Sequence, residues 1–181
     1  ELMRWKIFYL VELGLFQEVL DLGRAYLARE SVEVGDYLAL GQALREARQY
    51  HQAAELLEGA RLVFPDDDTL LVHLAHTYLA DGKNTTAAML FELAARRDPQ
   101  YSYEGAELYL RQKRYERALL LNARVPDAKA KVKQRLAIYL KQERWRQISG
   151  MGQQLSRLGL LEDDEIRYAL AYGYFKSGER K

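Results

Sequence analysis

Apolar and small residues return along this chain with a period of 34. The stretch beginning at Val34 reads LALGQAL, RQYHQAAELLEGA and FPDD, and the stretch beginning at Asp68 reads VHLAHTYLADGK, TAAMLFELA and RRDPQ. Laid over one another, Leu40 matches Leu74, Gly41 matches Ala75, Ala53 matches Ala87, Ala60 matches Ala94 and Pro65 matches Pro99. A fixed period of this length marks a repeat array and has to be read before any single motif. Gly41, Ala53, Ala75 and Ala87 let helix backbones approach closely, while large residues between them fill the gap to the next unit. Pro65 and Pro99 cannot continue a helix interior, so each closes its unit.

These positions resemble the tetratricopeptide (TPR) family, whose unit is two antiparallel helices with small residues where they cross. In 34–67 the signature positions hold Tyr37, Leu40, Gly41, Leu44, Tyr50, Ala53, Leu57, Ala60 and Pro65. In 68–101 they hold Leu71, Leu74, Ala75, Tyr78, Gly82, Ala87, Phe91, Ala94 and Pro99. The resemblance implies an all-α, right-handed α-solenoid of antiparallel helix pairs.

The flanking units are looser. Residues 1–33 keep the register, with Gly14 at the inter-helix turn and Phe16 and Val19 opening the second helix, although Gly23 and Tyr26 depart from the usual aromatic and small pair. The unit 102–128 is short: Pro126 follows Pro99 by only 27 residues, about two helical turns too few, and Tyr115 and Ala118 start its second helix. In 129–163, Leu136, Tyr139, Trp145 and Ile148 are in place but Gly152 and Leu155 replace the large and small residues. Residues 164–181 match a first helix, with Leu170, Ala171 and Tyr174 and a turn at Gly178. The expectation is one domain, 1–181, of about five and a half repeats. Arrays normally end in polar caps. Here Leu2, Trp5, Ile7, Phe8 and Leu10 open the chain and Tyr172, Tyr174 and Phe175 end it, which suggests a segment of a longer bacterial array.

In the family, the first helix of each repeat lines the concave face. Carried over by position, the groove holds Trp5 and Phe8, then Leu38, Gln42 and Arg45, then His73, His76 and Leu79, then Tyr103 and Glu107. Lys133, Ala137 and Lys141 follow, and Tyr168, Tyr172 and Phe175 close the series. This mixture of aromatic, apolar and charged groups suits an extended peptide or an inserted helix. Signature positions alternate closely with groove positions, so some of these aromatics belong to the core. One subclass of the family grips chaperone C-terminal carboxylates through lysine and asparagine. Leu38, Gln42 and His73 occupy those positions here, so that clamp is not expected.

Composition agrees with helix, since alanine, leucine, glutamate, glutamine and arginine dominate and only three prolines occur in 181 residues. The chain has no cysteine, which excludes disulfides, thiolate metal sites and cysteine nucleophiles. No apolar run is long enough to span a membrane, and residues 1–20 lack the pattern of a signal peptide.

Charge changes the picture more. The net charge is +1, yet residues 1–110 sum to −8, residues 111–146 to +9, and residues 147–181 balance. Arg111, Lys113, Arg114 and Arg117, then Lys129, Lys131, Lys133 and Arg135, make the basic block. Such a run is ordinarily a solvated face. The alternative is a patch for an acidic protein segment, an anionic polymer or the acidic half of a neighbouring copy. Without a nucleic-acid reading motif, nucleic acid is not the expected partner.

No phosphate loop, zinc-protease helix or nucleophile elbow occurs. Gly150 and Gly152 read as a helix irregularity or turn. His73 and His76 share a helix face at i and i+3, but no carboxylate at helical spacing completes a metal site, and they read as groove or solvent-facing residues. Asp66, Asp67 and Asp68 lack the spacing of a calcium loop and sit where a helix begins, as do Asp163 and Asp164. Asn84-Thr85-Thr86 is a glycosylation triplet expected by chance in a turn. Neither catalysis nor a cofactor is expected.

The expectation is a protein-binding scaffold in a larger assembly. Divergent, short units resemble arrays of bacterial secretion, pilus and exopolysaccharide-export machinery, placing an envelope or periplasmic setting ahead of a cytoplasmic one. The alternatives are a self-assembly module stacking head to tail and a regulatory domain of a larger enzyme.

Overall fold

The structure, a computed structural model, describes residues 2–27 and 33–178. The end of the first repeat, residues 28–32, and the last three residues, 179–181, lie outside that range, as do the side chains of Leu2 and Tyr26. All regular structure among the described residues is helical. No helix there is long and apolar enough to cross a membrane. The chain separates into two compact units, Glu1–Arg97 and Asp98–Lys181.

The first unit holds three helix pairs. They are α1 (Leu2–Glu12) with α2 (Phe16–Leu27), α3 (Val34–Glu46) with α4 (Tyr50–Val63), and α5 (Asp68–Ala80) with α6 (Asn84–Arg97). Partners within a pair pack together, and α3 also packs on the first helices α1 and α5, as expected when repeats stack. Tyr37, Leu40, Leu44, Leu57, Leu70 and Leu74 are fully or almost fully buried in one apolar cluster, to which α1 and α2 contribute Ile7, Val19 and Leu20. Gly23 of α2 approaches Leu56, a contact that suits the absence of a side chain there.

Each helix pair turns through one residue in the left-handed region. Gly14 and Gly82 take that place in the first and third pairs, with φ of 71° and 76°. In the second pair Arg48 takes it, with φ of 61°. Each stands two residues before the helix that follows. Asp67 caps α5, its carboxylate accepting from the N–H of Thr69 at 2.9 Å and Leu70 at 3.2 Å. Arg97 pairs with the flanking Asp68 at 3.1 Å and Asp66 at 3.5 Å. The aspartate run is therefore a helix start, held from α6. The Asn84-Thr85-Thr86 triplet opens α6 and is the first turn of a helix, not part of the inter-helix turn.

The second unit begins with a 3-10 turn, Pro99–Tyr101, followed by α7 (Ser102–Arg111) and α8 (Tyr115–Asn122). At 8 residues, α8 falls 6 short of its 14-residue counterparts α4 and α6, which accounts for the early Pro126. Next come α9 (Ala128–Lys141), α10 (Trp145–Ser149), α11 (Gly152–Arg157), a second 3-10 turn at Leu160–Glu162, and α12 (Asp164–Ser177). The second helix of the fifth repeat is thus broken at Gly150 and Met151 into two short pieces. Gly152 and Gly173 matter to packing here. A Cβ on Gly152 would meet the Tyr174 hydroxyl at 2.7 Å, and one on Gly173 would meet Ile148 at 2.5 Å. Tyr174 is half-buried and packs against the cluster that includes Ile148, Leu155 and Leu170. Lys113 and Glu143 occupy the left-handed turn position, with φ of 59° and 54°.

A buried polar network joins α8 to α9. Asn122, fully buried, donates to the Lys131 carbonyl at 2.8 Å and to Gln134 Oε1 at 3.2 Å, and accepts from Arg135 Nε at 3.2 Å. Gln134 Nε2 in turn donates to the Tyr103 carbonyl of α7 at 3.0 Å. Asp127 and Asp163 cap α9 and α12 through backbone N–H groups.

Candidate partner-binding groove

In the first unit, the facing sides of α1 and α3 enclose an open cleft of about 590 Å³. The helical period brings Ile7, Phe8 and Val11 to one wall and Leu38, Ala39 and Ala43 to the other. Glu12 and Glu46 stand among these apolar groups, and Gln42 Nε2 holds Glu46 at 2.8 Å. Of the groove residues expected from sequence, Phe8, Leu38 and Gln42 meet in this cleft. Phe8 keeps 56% of its surface exposed. Trp5 is also exposed on α1 but does not line the cleft.

A second hollow, about 490 Å³, lies between α3, α4 and α5 and is lined by Arg45, Tyr50, His76, Leu79 and Ala80. It gathers three more of the expected groove residues, Arg45, His76 and Leu79. His76 packs edge-on against Phe91 of α6 at 5.1 Å between ring centroids. His73, one turn earlier on α5, is half-buried, and its Nδ1 is enclosed with no hydrogen-bond partner. Burial first, then the Arg45 charge and His76, hold His73 below the usual imidazole value, against an upward pull from Asp67.

The remaining groove residues belong to the second unit. Tyr103 is partly exposed on α7, and Glu107 pairs with Arg111 at 3.4 Å. On α12 the rings of Tyr168 and Tyr172 stack at 6.1 Å, Phe175 continues the row at 6.4 Å, and Trp145 of α10 meets Tyr172 edge-on at 5.3 Å. Lys176 lies 5.4 Å over the Tyr172 ring. Tyr168 and Phe175 are 71% and 77% exposed, so this row is an aromatic surface rather than core.

The residues of the basic block have different surroundings. Arg114 and Arg117 lie over the Tyr109 ring at 5.0 and 5.8 Å, and Lys113 occupies the strained turn between α7 and α8. On α9 the cations recur every second residue, and at about 100° per residue that spacing alternates faces. Arg135 turns to the buried Asn122, whereas Lys133 turns to Asp163 at 3.5 Å. Lys129 is exposed and Lys131 half-buried.

Sequence reasoning passed over Glu12, Glu46 and Tyr50. Glu12 and Glu46 each stand four residues after a groove residue, Phe8 and Gln42, and that spacing was the available signal. Among the described residues, no group of three histidine or carboxylate side chains is placed to hold a metal ion.

A family model described as "Tetratricopeptide repeat" matches residues 38–102 and 73–132, a combined span of more than half the chain. No curated protein and no solved structure matches it. The repeat register, the paired helices and the matched span lead to one conclusion: the chain belongs to the tetratricopeptide repeat family.

Proposed function

We propose that this chain is a non-enzymatic scaffold that seats a segment of a partner protein in the cleft between α1 and α3. The cleft itself carries the reading: an apolar floor of Ile7, Phe8, Val11 and Leu38, edged by polar groups that can fix the orientation of a bound segment. Tetratricopeptide repeats as a class mediate protein–protein interaction. The setting we favour is a bacterial envelope assembly of the secretion or exopolysaccharide-export kind, supported by the short and divergent repeats. A partner with acidic segments would find cations on α9, of which Lys129 and Lys133 are exposed.

The test is capture from native lysate by wild type and by a Phe8→Asp/Gln42→Trp variant. Both side chains are exposed, so the fold should be kept, as circular dichroism would verify. Loss of a specific protein from the variant is the expected result. Equal capture by both would remove the cleft as the binding site.

Self-association is the second reading. Exposed Trp5, Phe8 and Tyr9 on α1 and exposed Tyr168 and Phe175 on α12 support it, together with opposite charge in 1–110 and 111–146. Mass that rises with concentration and falls with added salt would favour it. A monomer at all salt concentrations would sink it.

A further inference from the structure

We propose that the hollow between α3, α4 and α5 is an anion site that takes a carboxylate side chain of a protein partner. The inference rests on the scaffold reading for its biological occupant, while its chemistry stands on the hollow alone. Arg45 supplies a guanidinium that, among the described residues, makes no side-chain hydrogen bond or ion pair. Its planar fork of N–H donors matches a carboxylate. His76 and Tyr50 line the same space and add an imidazole and a phenol hydroxyl. His73 stands one turn behind His76 with an enclosed Nδ1 that no group accepts from or donates to. Three groups that carry or can carry positive charge are thus pressed together. The acidic group acting on His73 is Asp67, at the start of α5, and that carboxylate is already committed to capping the helix.

A carboxylate in the hollow would relieve this arrangement. It accepts from Arg45 and stabilises the protonated forms of His73 and His76. Binding therefore strengthens as pH falls through the imidazole range. The groups that set this response are Arg45 on α3, His76 on the same helix as His73, and Asp67 at its N-cap. Long-range attraction does not explain such binding, because residues 1–110 carry a net −8. Only local geometry would hold an anion here.

The chain contains three histidines, His51, His73 and His76, which makes the test direct. His51 is exposed on α4 and does not line the hollow, so it serves as an internal control. Imidazole resonances are titrated by NMR with the peptide acetyl-Leu-Glu-Glu-Leu-amide and with its Gln-Gln counterpart. The glutamate peptide should raise the apparent pKa of His73 and His76 by about half a unit or more and leave His51 unmoved, with no response to the glutamine peptide. Arg45→Gln should weaken binding about tenfold, as expected for one charge-assisted hydrogen-bonding partner. Unmoved His73 and His76, or an equal response to both peptides, would overturn the proposal. So would binding that survives Arg45→Gln and is lost in Lys129→Glu/Lys131→Glu, since the peptide would then sit on α9. The scaffold reading fails separately, if the Phe8→Asp/Gln42→Trp variant still captures the native partner while the glutamate peptide continues to titrate His73.

Discussion

Gly41 on α3 lies so close to Leu57 on α4 that a Cβ at position 41 would stand 2.8 Å from Leu57 Cδ2 and 2.9 Å from its Cγ. Leu57 is fully buried and cannot swing aside. This is the helix crossing that the 34-residue pattern marks with a small residue. Alanine at 41 would gain about 1 kcal/mol of helix propensity, offsetting part of an overpacking cost of about 1–3 kcal/mol. Valine adds bulk without the full propensity gain. Gly41→Val should therefore destabilise the fold by about 2 kcal/mol in urea unfolding, clearly more than Gly41→Ala.

Asn122 is the hinge of the α8–α9 network, and both its amide and its carbonyl are engaged. Asn122→Ala leaves the Lys131 carbonyl, Gln134 and the Arg135 guanidinium with fewer partners in a buried place. The expected loss is about 2–3 kcal/mol, well above that for an exposed surface pair. Chemical denaturation would measure it, and a loss under 1 kcal/mol would show that water replaces the side chain.

Arg48, Lys113 and Glu143 hold the left-handed turn position that Gly14 and Gly82 hold elsewhere. A Cβ there costs energy that glycine avoids, about 1 kcal/mol or more per site. Glycine also loses more backbone freedom on folding, which offsets part of the gain. Each of Arg48→Gly, Lys113→Gly and Glu143→Gly should leave stability unchanged or raise it by up to about 1 kcal/mol. A fall in thermal midpoint at all three sites would contradict this account of the turns.

The depressed titration of His73 makes stability depend on pH. Above the ordinary imidazole value of 6.5 neither folded nor unfolded chain carries that proton, and the contribution is fully present. As pH falls below 6.5 the unfolded chain takes up the proton before the folded one does, so stability drops until the folded value is passed. The urea midpoint should decrease between pH 7 and pH 5, and His73→Gln should flatten that slope. A carboxylate peptide bound in the hollow should do the same.

Much of this fold was legible from residues at fixed offsets. Pro65, Pro99 and Pro126 marked unit lengths, and the short α8 followed from the last two. Gly14 and Gly82 announced their turns because glycine is the residue that enters the left-handed region freely. Arg48, Lys113 and Glu143 gave no such sign, since tertiary packing of the helix pair imposes that conformation on them. The surroundings of the basic block were hidden for a related reason. Lys129, Lys131, Lys133 and Arg135 are neighbours along the chain, but on a helix alternate residues point to opposite sides. Arg135 in particular is drawn away by Asn122, a contact between helices that spacing does not reveal. Phe8, Leu38 and Gln42 were found through family register. Glu12 and Glu46 became part of the cleft only when α1 was seen to face α3.

The central claim is that the α1–α3 cleft holds the partner segment, and site-specific photo-crosslinking tests it most directly. A benzophenone side chain placed at Phe8, in the cleft, is compared with one at Leu62, which is 87% exposed on α4 and away from it. The account predicts that position 8 captures a defined protein and position 62 does not. Capture of that protein from position 62 with none from position 8 would contradict it.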